Sequence, residues 1–135
     1  MTNAFRWHEG YSVGVQQFDA DHRRLLNLAE EMVLAARQQA QPLTAGEVLE
    51  DLIAYAEEHF LHEERLMQTT GYAGLQEHQV EHRRLLDEIR RYQADMGQGR
   101  VNADDVARYV ADWIFGHIDS EDRKYGDHLN GRGYR

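Results

Sequence analysis

The chain has 135 residues, which suits a single domain, and its 24 acids against 15 bases leave a net charge of −9. That balance argues against nucleic acid and against an anionic membrane surface as partners. The absence of cysteine excludes disulfides, thiolate nucleophiles, Cys-type zinc sites and Cys-ligated iron–sulfur clusters. One proline, with 41% apolar and 29% charged residues, fits a helical globular protein. Histidine is the outlier, with eight copies against about three from average usage.

The first fifteen residues, MTNAFRWHEGYSVGV, lack an apolar h-region and a cleavage site. No apolar run approaches the roughly 18 residues of a membrane span. The expectation is a cytoplasmic protein without membrane association, read as one domain over 1–135, whether whole or a module of a longer chain.

Residues 1–17 read as an N-terminal arm, followed by a helix over about 18–39. The break at 41–46 carries Thr44 and Glu47 in the spacing of a capping box, opening a helix over about 44–69. Gly71 is placed to stop it in the left-handed conformation. A third helix spans about 74–96, ended by Gly97 and Gly99. Asn102, an N-cap with Asp104 and Asp105 behind it, starts a fourth over about 102–127.

Each helix carries an apolar stripe in steps of three and four. The stripes are Phe18, His22, Leu25, Ala29, Met32, Ala36; Leu49, Leu52, Ala56, His59, Glu63, Leu66; Leu75, His78, His82, Leu85, Ile89, Tyr92, Met96; and Ala103, Val106, Val110, Trp113, His117. These are seam positions of an all-α, antiparallel, up-down-up-down four-helix bundle.

Every seam carries histidine and one carries Glu63, yet none carries a lysine or arginine. A buried, unpaired carboxylate costs several kcal/mol, so a metal is the economical partner. His59 and Glu63 are i, i+4, as are His78 and His82, and each pair shares one helix face. His22 stands alone on the first helix. Asp122 follows His117 by five residues, about 140° off its face on an ideal helix. Its inclusion therefore requires the fourth helix to bulge, widen or end there. Early and late positions alternate from helix to helix, so antiparallel folding brings all seven residues to one level.

Seven ligands exceed the four that zinc prefers. Two six-coordinate irons sharing both carboxylates and one oxo or hydroxo bridge would use all but one of their positions, leaving room for one small ligand end-on. Two ferrous ions, two carboxylates and a hydroxide sum to about +1. Ferritin-like sites use four carboxylates and two histidines, with Glu-x-x-His motifs. No histidine here has Glu three residues before it, and a donor set poorer in anions stabilises high-valent iron less. Reversible O2 binding is the expected chemistry. Histidine and carboxylate donors also suit manganese, cobalt and zinc.

Several motifs combine with these ligands: W-x-x-x-Y-S-V-G-V from Trp7 to Val15, F-D-A-D-H ending at His22, and H-F-x-x-E-E from His59. G-Y-x-x-L-x-x-H-x-x-x-H then ends at His82, and W-I-x-x-H-I-x-x-x-D-x-x-Y at Tyr125. Over nearly the whole chain they resemble the hemerythrin family, specifically bacteriohemerythrins and hemerythrin-like domains. The resemblance implies that His78, His82 and His117 hold a coordinatively filled iron. His22 and His59 would hold the iron whose vacancy takes O2 as hydroperoxide, and Glu63 and Asp122 would bridge the two. It further implies an O2 pocket walled by Leu25, Phe60, Trp113, Ile114 and Ile118. Tyr125, one turn after Asp122, is a candidate hydrogen-bond donor behind the ligands.

The expected function is non-enzymatic O2 storage, transport or delivery at a non-haem di-iron centre. Alternatives are an O2- or redox-sensing signalling module, with a protein partner or fused domain, and a protein handling iron, peroxide or nitric oxide. His62 reads as solvent or interface. His8 and His128 read as surface residues, Glu64 as a surface carboxylate, and Trp7 and Tyr11 as packing across a bundle end. Glu57-Glu58, Arg83-Arg84 and Arg90-Arg91 read as solvated faces with i, i+4 pairs.

Overall fold

A computed structural model of the chain describes residue 7 and residues 11–37, 44–117 and 122–135. The described residues form helices α1 (Gln16–Arg37), α2 (Ala45–Thr70), α3 (Leu75–Gly97), α4 (Ala103–His117) and α5 (Arg123–Asn130), with no strand among them. None of these helices is long and apolar enough to cross a membrane.

Local chemistry sets the helix ends. Thr44 accepts from the Glu47 amide at 3.2 Å while the Glu47 carboxylate accepts from the Thr44 amide at 3.1 Å. Asn102 and Asp105 make the same reciprocal pair at 2.9 and 3.2 Å. Gly71 closes α2 at φ 69°, ψ 37°, a left-handed conformation that a side chain would strain.

Pairings between helices define the topology. Glu57 meets Arg90 at 2.9 Å and Glu50 meets Gln93, so α2 and α3 run antiparallel. Tyr92 lies 4.7 Å from Tyr109, and His78 lies 5.1 Å from His117, which makes α3 and α4 antiparallel. Arg37 at the end of α1 reaches Asp104 at the start of α4 at 2.8 Å. Each of the first four helices packs on two neighbours, closing a four-helix bundle.

The buried stripe is wider than a two-position seam. Leu26, Leu28, Val33, Val48 and Ile53 join the expected positions in the core. Ala36 is exposed, and Met67 rather than Leu66 is fully buried. The reason is the drift of a 3.6-residue turn relative to a 3.5-residue repeat. The surface charges also pair differently from the expected i, i+4 pattern. Arg90 reaches across to α2, and Arg84 pairs with Glu81 at i, i+3.

The arm is tied down. Asp19 in the first turn of α1 accepts from the Val13 amide at 2.9 Å and the Ser12 hydroxyl at 2.6 Å. Asn130 of α5 donates to the Gly14 carbonyl at 2.9 Å. Trp7 lies 5.9 Å from Tyr11, which stacks on Phe115 of α4 at 4.2 Å. The Arg23 guanidinium sits 5.1 Å from the Trp7 ring centre, within cation–π range.

The fourth helix, expected over about 102–127 with a bulge, widening or end before Asp122, is described on either side of that point. α4 is described as far as His117 and α5 from Arg123, with Asp122 itself in π-helical conformation. Residues 118–121, and with them Ile118, lie outside the described residues, as does His8.

Candidate metal centre

The bundle brings His22, His59, Glu63, His78, His82, His117 and Asp122 into one buried layer, each between 1% and 7% exposed. Two groups form within it. The potential ligand atoms of His78, His82 and His117 all lie within 4.8 Å of one another, as do those of His22, His59 and Glu63.

The carboxylates join the two groups. Asp122 places Oδ2 3.3 Å from His22 Nε2 and Oδ1 3.1 and 3.0 Å from the Nε2 atoms of His78 and His117. Glu63 places Oε2 3.5 Å from His59 Nε2 and Oε1 3.3 Å from His82 Nε2. Each carboxylate therefore turns one oxygen toward each group, and all five imidazoles turn Nε2 inward.

Asp122 stands in π-helical conformation and faces the histidines. A straight helix would carry that side chain about 140° from the face of His117; here it is 2% exposed.

The electrostatics are those of a site demanding positive charge. Both Glu63 oxygens are buried without hydrogen bonds, as are Nε2 of His59 and of His82. Burial would raise the Glu63 pKa, but His59 and the other imidazoles hold it below the ordinary carboxylate range. Burial opposes ionisation of Asp122 as well, and His117, His22 and His78 hold it well below its ordinary value. Burial favours neutral His59, yet Glu63 and Asp21 outweigh it and raise its pKa to about 10. Orphaned lone pairs and inward carboxylates are a fit for bound cations, which satisfy both without protons.

The residues expected to wall a pocket are together. Leu25, Phe60, Trp113 and Ile114 line an apolar cavity of about 10 Å³ with Leu52, Ala56, Leu85, Ile89 and Val110. Phe60 stacks flat on His82 at 3.9 Å, and Trp113 stacks on His117 at 4.7 Å. Phe60 lies tilted and farther from His59, at 5.9 Å. The two aromatics thus lie flat against the three-histidine group, rather than against the ligands of the two-histidine group.

Tyr125 is fully buried and donates to the backbone carbonyl of Glu63 at 3.1 Å. It holds the α2 backbone and not a carboxylate side chain. Burial, with Glu63 and Asp122 nearby, pushes its pKa upward, so it stays a donor. His62 is exposed, 5.6 Å edge-on to Phe18. His128 is half-buried, with Nε2 3.0 Å from the Thr70 hydroxyl.

Two carboxylates escaped the sequence reading. Asp21 Oδ2 lies 2.6 Å from His59 Nδ1, and Glu64 Oε2 lies 2.8 Å from His82 Nδ1. Glu64 is therefore not a free surface carboxylate; it backs a ring of the centre. Both adjoin a seam residue, His22 and Glu63, and sit about 100° around the helix from it, which turns them toward the adjacent helix. An acid beside a seam ligand was the available signal.

Residues 13–129 match the family model of the hemerythrin HHE cation binding domain. The bacteriohemerythrin of Stenotrophomonas maltophilia is 27% identical over 128 residues, covering 92% of this chain and 83% of its own length. The myohemerythrin of Riftia pachyptila is 25% identical over 101 residues, covering 75% of this chain and 78% of its own. A crystal structure of wild-type hemerythrin superposes with a TM-score of 0.80 at 29% identity, covering 96% of this chain and 97% of that one. By the extent of the family match and the bundle it shares with solved relatives, the chain belongs to the hemerythrin family.

Proposed function

We propose that this protein binds O2 reversibly at a non-haem di-iron centre, for storage, transport or delivery of oxygen. The observation that carries the reading is the division of the Glu63 and Asp122 oxygens between two unequal imidazole groups. His78, His82 and His117 would hold one iron, His22 and His59 the other, with both carboxylates bridging. The unequal donor count leaves the His22–His59 half short of one ligand. A di-iron pair there would supply a reversible coordination position for O2.

The chain's own residues do the rest. The apolar cavity beside the layer has room for about one small molecule and no polar group to hold water. Leu25, Phe60, Trp113 and Ile114 thereby keep water and protons from the centre, which slows irreversible oxidation. Phe60 and Trp113, stacked on His82 and His117, lock those rings. Tyr125 fixes the α2 backbone at Glu63.

The test is an iron count beside a visible spectrum with and without O2. Two irons per chain and a charge-transfer band that appears with O2 and vanishes on its removal are expected. One metal or none, or sustained turnover of O2, peroxide or nitric oxide, overturns the reading.

The buried charges give the centre a pH signature. In the metal-free chain, Glu63 lies below its ordinary 4.5. Its contribution to stability is present above that value and lost as acid protonates it. His59 is raised from 6.5 to about 10. Its contribution is full below 6.5 and fades as the pH climbs toward 10. A bound cation takes over the imidazolium's charge. Thermal melts should therefore fall between pH 6.5 and 10 for chelator-treated protein and stay level for loaded protein; parallel declines contradict the charge assignment.

A further inference from the structure

The two halves of the centre are supported unequally from behind. His22 Nδ1 is buried with no hydrogen-bond partner. His59 Nδ1 meets Asp21 at 2.6 Å. Asp21 Oδ1 in turn accepts from the Tyr55 hydroxyl and the Gln17 amide, each at 2.9 Å. Three donors from α1 and α2 thus converge on one carboxylate whose side chain is 7% exposed. In the other half, Glu64 backs His82 at 2.8 Å with its side chain 19% exposed.

A carboxylate that accepts from Nδ1–H fixes the tautomer, frees Nε2 as the donor atom and strengthens the ring as a ligand. The His22–His59 half has one imidazole fewer than its neighbour, and one of its two has no such support. We propose that Asp21, held by Tyr55 and Gln17, is the positioning residue that makes His59 a strong enough donor for the weaker half to retain its metal. The proposal rests on the di-metal reading above. Asp21 touches no substrate and acts through His59 alone. It lies at the foot of a groove of about 430 Å³ between α1 and α2, lined also by Tyr55, Glu58, His62 and Arg65. Asp21, rather than water from the groove, therefore meets Nδ1.

Cobalt(II) titration of the metal-free full chain, followed calorimetrically and by visible absorption, separates this proposal from the reading beneath it. Wild type should take two cobalt ions in two steps. Asp21→Asn, isosteric and able to accept from Nδ1–H without the charge, should weaken one step about 10- to 100-fold and leave the other unchanged. Tyr55→Phe should weaken the same step by less, and Glu64→Gln should weaken the other. In the iron-loaded protein, Asp21→Asn should shift the midpoint potential upward, because a weaker donor favours the ferric state less; a purely structural role would not move it. Two steps in wild type with Asp21→Asn and Tyr55→Phe unchanged, or an unmoved potential, overturns the proposal and leaves the di-metal reading standing. Fewer than two ions in wild type overturns that reading itself. If Asp21→Asn fails to fold by circular dichroism, the Tyr55→Phe titration decides.

Discussion

Substituting Asp122 by alanine is expected to strip both metals from the protein, whereas His59→Ala or His117→Ala should each empty chiefly one half. The difference follows from reach. Asp122 approaches Nε2 of His22 on one side and of His78 and His117 on the other, while His59 and His117 each belong to one group. Losing a supporting partner behind a ligand weakens metal binding about 10- to 100-fold. Losing a carboxylate that, on the proposed reading, would bridge both sites should exceed that at each. The substitution also removes one of two buried negative charges, so three inward imidazoles lose the partner that offsets their burial. Elemental analysis after desalting is the measurement. Two irons per chain in Asp122→Ala would show that the carboxylate does not bridge.

Gly126→Ala should be the most damaging substitution far from any ligand. A Cβ on Gly126 would lie 1.9 Å from the Val13 carbonyl oxygen and 3.0 Å from its carbonyl carbon. Both atoms are backbone, so no rotamer change relieves the overlap. Either the arm lifts from α5 or α5 tilts. Overpacking of this kind costs about 3 kcal/mol, which for a domain of this size lowers Tm by about 10 °C. The damage should reach the centre, because Tyr125, next in the chain, anchors the Glu63 carbonyl, and Asp122 stands at the start of the same helix. Gly97→Ala, at the end of α3 where an added Cβ meets nothing within 4 Å, is the control expected to leave Tm nearly unchanged. An unaltered Tm in Gly126→Ala would mean that the arm does not dock as described. Metal loss together with arm release would give the sensing alternative a physical link, since the arm is then coupled to the helix that carries Asp122.

Much of the bundle was legible because helical periodicity writes itself into a sequence. Apolar residues every three to four positions, interrupted by a capping box at Thr44–Glu47 and a left-handed Gly71, announce α2 and its ends directly. Ionisable residues on an apolar stripe are anomalous wherever they occur, so His22, His59, Glu63, His78, His82 and His117 stood out on chemistry alone. The five-residue step from His117 to Asp122 likewise called for a departure from a straight helix, and Asp122 is buried in π-helical conformation. Leu66 and Ala36 were misplaced because the stripe drifts along a long helix and the three-four rule does not follow it.

The amino-acid order by itself determined which segments are helical, which faces are apolar and which side chains are out of place there, since each of these depends on neighbours within one or two turns. The tertiary structure alone decided the partnerships. Asp21 meets His59 across 38 residues, Glu64 meets His82 across 18, and His78 meets Asp122 across 44. The approach of Val13 to Gly126 is likewise invisible in the chain. A carboxylate one position off the seam has several helices and solvent within reach. Only the rotation and depth of each helix, fixed by packing the whole core at once, select which imidazole it backs.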